Sequence, residues 1–205
     1  MDNKLTEMDR LTLISDMIQQ AKRDVVRDNG SSMLLWGYAI AIASLAQFFV
    51  SLGDLIEPTA KGMIIGTVWG VILLLAVVGQ LLISKRESRE RAAKSHFDCI
   101  GNALWLAFGV GVLLTYCLFY DMSMMSYPII LLLYTFAMFM TAVIYKIKSL
   151  YISVAVCVVC VLSYPFVIGQ ESVFYPIPMA VAMVAGNIIP GHIAKINYNR
   201  DVKRA

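Results

Sequence analysis

Six uncharged, mostly apolar runs of about twenty residues govern what this chain can become: Met33–Leu52, Gly62–Ile83, Cys99–Phe119, Tyr127–Tyr145, Leu150–Ile168 and Val173–Ala194. A helix of about 20 apolar residues crosses the hydrocarbon of a bilayer. No water is present there to satisfy the backbone, so each run must close its own hydrogen bonds as a helix. The composition agrees. Of 205 residues, 59% are hydrophobic and 15% charged, against roughly 45–50% and about 25% in a soluble domain. With a mean hydropathy of +0.71, the chain carries more apolar surface than its own core can hide, and lipid is the solvent that accepts the rest. The expected architecture is an all-α membrane bundle of six transmembrane helices.

The cations set the expected orientation. Lys4, Arg10, Lys22, Arg23 and Arg27 precede the first run, and Lys85, Arg86, Arg89, Arg91 and Lys94 follow the second. Lys146 and Lys148 follow the fourth, and Lys195, Arg200, Lys203 and Arg204 follow the sixth. Across the other three loops there is one, Lys61. With six spans, 16 of the 17 cations fall on one side. By the positive-inside rule that side is the cytoplasm, so both ends are expected there. Residues 1–30 mix both signs of charge and lack the apolar stretch of a cleavable signal, so the first span is expected to act as an uncleaved anchor. Tyr127-Pro128, Tyr164-Pro165 and Tyr175-Pro176, with Tyr116 and Tyr120, lie near the opposite interface. They read most simply as an aromatic belt with helix-end prolines, a ligand-binding mouth being the alternative.

Residues 1–31 form a cytoplasmic preface, 32–195 the membrane domain and 196–205 a short basic tail. Within the preface, Thr6–Asp28 read as an amphipathic helix between an approximate capping box, Thr6 with Asp9, and the stop Asn29-Gly30. Leu11, Ile14, Ile18, Ala21 and Val25 make one apolar stripe, while Asp16, Lys22, Arg23, Asp24, Arg27 and Asp28 nearly balance in charge. A helix lying on the membrane surface is usually biased to Lys and Arg. The balance here points to packing on protein through residues 6–28: the chain's own loops, a second copy or a different cytoplasmic protein. The pattern Leu11-x-Leu13-Ile14-x-x-Met17-Ile18-x-x-Ala21-Lys22, followed by Leu34-Leu35-Trp36-Gly37, resembles a family of small uncharacterised multi-pass inner-membrane proteins of Bacteroides-like bacteria. The resemblance covers roughly the first forty residues and is compositional beyond them. It implies an inner-membrane protein of several helices, carries over no functional residues, and hints at a regulatory role because such genes often neighbour winged-helix regulators.

Two features of the spans bear on packing. Gly62, Gly66 and Gly70 share one helical face, and small residues at four-residue spacing allow helix backbones to approach in lipid. This candidate packing face would serve either inside the monomer or between copies. Ala182-x-x-x-Gly186 is a shorter version. Trp36-Gly37 with Gln47, and Trp69-Gly70 with Gln80, repeat a tryptophan followed by a glutamine eleven residues later. The repeat admits both chance and an inverted duplication.

Gln80, Asn102, Asn187 and His192 fall in the cytoplasmic halves of their helices, with His96 just outside. They are either interhelical hydrogen-bond formers or the lining of an inward-facing polar cavity, while Gln47 stands alone in an outer half. No Asp, Glu, Lys or Arg lies in an expected hydrocarbon core, which argues against a proton-coupled pump. Facilitated movement of a neutral or amphipathic solute is not excluded on that ground. Cys157-x-x-Cys160 shares a face in the fifth span, and Cys99 and Cys117 lie at opposite ends of the third. A membrane thiol oxidoreductase needs a second, solvent-exposed pair, so ordinary buried cysteines are the simpler reading. Met122, Met124 and Met125 with Asp121 could offer thioethers to Cu(I), without a nearby histidine to help. The basic run Lys85–Lys94 is broken by Glu87 and Glu90 and lies beside anionic headgroups, so no nucleic-acid partner is expected. No catalytic set, cofactor or metal site is expected. The chain reads as a non-enzymatic interaction or regulatory protein whose partners are the bilayer, a second copy or a cytoplasmic protein. The alternative is a small transporter or channel.

Overall fold

The structure is a computed structural model describing residues 30–53, 57–90, 96–118, 123–145, 148–168 and 172–202. The amphipathic segment Thr6–Asp28 lies outside the described residues. The described chain is all-α, without strands: α1 (Ser31–Leu52), α2 (Pro58–Glu90), α3 (His96–Leu118), α4 (Ser123–Tyr145) and α5 (Lys148–Ile168). A 3₁₀ turn (Ser172–Phe174) leads to α6 (Pro176–Met183), which continues through a π-helical turn (Val184–Ile188) into α7 (Ile189–Val202). Six stretches are long and apolar enough to cross a membrane, the sixth being the continuous unit Pro176–Arg200. The chain is a multi-pass integral membrane protein.

Prolines that read as punctuation take other places. Pro58 begins α2 rather than ending a loop. Its missing N–H costs nothing in the first turn, and the helix closes behind it with the Lys61 amide donating to the Glu57 carbonyl (2.9 Å). Pro176 likewise opens α6. Pro128 and Pro165 sit inside α4 and α5, the first near the start of its helix and the second near the end.

The last span is the hub. α1 and α5 both pack on it, α4 packs on α5 and also touches α6, and the remaining helices flank this core. α2 rests chiefly on α1 and α3 chiefly on α4, so the two helices adjacent in sequence sit on opposite flanks. Burial follows this order: half of the sixth span and 44% of the fourth are buried, against 6% of α2 and 11% of α3. Leu131, Tyr134, Met138, Leu150, Cys157 and Met183 form the fully enclosed centre.

Close approach uses glycines other than the expected three. A Cβ at Gly37 would lie 2.7 Å from the Cβ of Asn187, so α1 meets the π turn backbone to backbone. Gly30 adopts φ 60°, a left-handed conformation that favours glycine, and it abuts Gly191 of α7. Ala182 and Gly186 are buried within the bundle. Gly62, Gly66 and Gly70 have no atom within 4 Å of where a Cβ would stand. Their face of α2 is open.

Candidate functional site

The polar side chains in the membrane region gather on α1. Gln80 of α2 accepts a hydrogen bond from the Trp36 indole (3.2 Å) and donates to the Ser32 hydroxyl (3.1 Å). Toward the other end of the same helix pair, Gln47 of α1 accepts from the Trp69 indole (2.7 Å) and from the Tyr127 hydroxyl of α4 (2.6 Å). The repeat seen in the sequence therefore has a geometric role. Eleven residues advance a helix by about 16 Å and return to within about 20° of the same face. Two antiparallel helices that each carry tryptophan and glutamine at this spacing place each tryptophan beside the other's glutamine. Both bonds then form in a single register. Gln47, expected to stand alone, accepts two bonds.

Asn187 is buried in the π turn, where its amide is directed at the Met183 sulfur (3.6 Å). π turns interrupt α-helices rarely and often at functional positions; this one presents Gly186 and Asn187 to the neighbouring helices. His192 is exposed on α7, its Nε2 2.8 Å from the Tyr38 hydroxyl, with the two rings edge to face. Gln80, Asn187 and His192 thus meet three consecutive residues of α1, namely Trp36, Gly37 and Tyr38. Successive residues turn about 100° around a helix. Their partners are consequently spread around α1 rather than facing one space. Asn102 is apart from them, exposed on α3.

No family model, curated protein or solved structure matches the chain.

Thr115, Thr135, Thr141 and Ser153 donate back to the carbonyl four residues earlier, which satisfies each hydroxyl within its own helix. Ser44 and Tyr134 hydroxyls are buried with no hydrogen-bond partner among the described residues. The Tyr134 hydroxyl abuts Gly186, and its ring packs near Trp105 and Phe108. Cys157 and Cys160 are free and buried, with the Cys157 thiol 3.8 Å from the Ala182 carbonyl, while Cys99 and Cys117 are free and exposed. Among the described residues, no group of three or more His, Cys, Asp or Glu is placed to hold a metal. The side chains of His96 and of Asp121–Met125 lie outside the described residues.

Among the described residues, recesses open at two places on the bundle surface. One, about 390 Å³, lies between α5 and α6 and is lined by Cys160, Ser163, Phe174 and Ile177 among others. The other, about 540 Å³, is a groove between α1 and α2 that reaches Lys195 of α7. Neither is lined by Gln80, Asn102, Asn187 or His192. The groove is a feature that residue-by-residue reading missed, because its walls are ordinary apolar residues from two separate spans.

Proposed function

We propose that this protein works by interaction rather than by chemistry: a six-span inner-membrane protein, both ends cytoplasmic, that engages a partner through its N-terminal segment. The carrying observation is that Gln80, Asn187 and His192 take their contacts from consecutive residues of α1. Three of the four side chains that could have lined a solute path are thereby used in holding helices together. The sixteen-to-one distribution of cations supports the orientation, and the resemblance of the first forty residues supports the inner membrane and a regulatory role. The open Gly62, Gly66 and Gly70 face supports self-association, since only 6% of the span in α2 is buried. Transport of a neutral or amphipathic solute has less behind it, resting on the exposed Asn102 and His192, which lie on different helices.

Deleting residues 1–28 and comparing the proteins that cross-link to the chain in cells tests the reading. Loss of cytoplasmic partners with the membrane domain still inserted is the expected result. An unchanged set of partners refutes it.

A further inference from the structure

We infer that the groove between α1 and α2 holds one anionic phospholipid, with an acyl chain along its apolar walls and its phosphate at Lys195. The groove has a definite polarity. At one end stand Ser31, Ile83 and Lys195, and at the other Ile42 and Ile72. From Ser31 to Ile42, and from Ile83 back to Ile72, each wall runs eleven residues, about 16 Å of helix. That is roughly half of a hydrocarbon core of about 30 Å, so the groove is as deep as one leaflet. Its inner stretch is lined by Leu35, Ala39, Ile42, Ile72 and Leu75, with no charge.

Among the described residues lining it, Lys195 is the one that is charged, and it stands at the shallow end. Among the described residues, no Asp or Glu lines the groove to receive the amine of a zwitterionic headgroup. Charge therefore selects a net anionic lipid. One helical turn before Lys195, His192 ties α7 to Tyr38 of α1 at 2.8 Å, and Gly191 seats against Gly30. The turn that presents the cation is thus held to the groove wall. A single hydrocarbon chain is thin enough to lie between the two walls. The lipid is drawn from the leaflet on the side of Gly30 and Arg200.

The test uses the full-length protein purified in detergent, equilibrated with equal amounts of phosphatidylglycerol and phosphatidylcholine bearing identical acyl chains, and read by native mass spectrometry. Wild type should retain phosphatidylglycerol in preference, at one lipid per chain. Lys195→Gln should lower the ratio of retained phosphatidylglycerol to phosphatidylcholine about fivefold, the effect expected of one lysine at an anionic surface, and Lys195→Arg should keep it. Ala39→Phe, which fills the apolar wall, should reduce retention of both lipids; a melting curve establishes that this variant is folded. Equal retention of the two lipids by wild type, or a ratio unmoved by Lys195→Gln, overturns the proposal. So does undiminished retention by folded Ala39→Phe. None of these readouts depends on residues 1–28, so the lipid site and the N-terminal interaction can fail separately.

Discussion

Replacing Gln47 by leucine removes the acceptor for two cross-helix hydrogen bonds at once, from the Trp69 indole at 2.7 Å and the Tyr127 hydroxyl at 2.6 Å. Cross-helix hydrogen bonds in a membrane protein contribute about 0.6 kcal/mol on average and about 1.7 at most. Two of them make the expected loss about 1.2 kcal/mol, close to an eightfold change in the unfolding equilibrium at RT of about 0.59 kcal/mol. Leucine is nearly the size of glutamine, so the change in packing is small and the change in bonding dominates. Gln80→Leu also removes two bonds, but longer ones, 3.2 Å to Trp36 and 3.1 Å to Ser32, and its cost should be the smaller of the two. The assay is equilibrium unfolding in mixed micelles under increasing dodecyl sulfate. A cycle of Trp69→Phe, Gln47→Leu and the double variant isolates the indole bond, with an expected coupling of about 0.6 kcal/mol. A cycle of Trp69→Phe with Gln80→Leu is the control, because those residues are not partners, and should add to within about 0.3 kcal/mol. Equal coupling in the two cycles would mean the crossed pairing is not what joins α1 to α2.

Three further outcomes follow from the packing. Gly186→Ala drives a methyl into the Tyr134 hydroxyl and should destabilise the protein by about 1–3 kcal/mol; adding Tyr134→Phe removes the colliding oxygen and should restore much of the loss in the same unfolding assay. Tyr134→Phe alone should be neutral or stabilising, since the hydroxyl it deletes is buried without a described partner. A Cβ at Gly66 meets no atom within 4 Å, so Gly66→Leu should move monomer stability by less than about 0.5 kcal/mol, whereas any dimer detected by cross-linking should weaken. In intact spheroplasts of the Cys157→Ala, Cys160→Ala background, an impermeant maleimide should label Cys117 from outside and reach Cys99 only after the membrane is opened. The reverse pattern would invert the orientation proposed from the cations.

How far the sequence could be read depended on the range of the interaction concerned. The six spans answer to hydropathy, a local property, and each expected run is largely contained in a helix of the structure. α2 runs on to Glu90, past the apolar stretch that ended at Ile83, because an α-helix leaving the bilayer has no reason to unwind at the first charge. Partner choice is not local, and there the reading thinned. The Gly62, Gly66 and Gly70 spacing says that a face permits close approach, but not that a neighbour comes; the helix that does come close uses Gly37 against Asn187. Nor does the sequence around Asn187 mark the π turn at Val184–Ile188. The Trp36, Gln47, Trp69 and Gln80 repeat is the intermediate case. As a pattern of four residues it is too short to distinguish from chance. Yet once adjacent spans are taken as antiparallel, an eleven-residue spacing repeated in both allows one register in which each indole meets the other helix's amide, and that is the pairing formed. The information was therefore present in the sequence, in the combination of two facts read separately: that the spacing closes three helical turns, and that neighbouring spans cross the bilayer in opposite directions. Reading them together assigns Gln47 a partner in advance, and it explains a shared motif without common descent, because reciprocal bonding alone demands the same spacing twice.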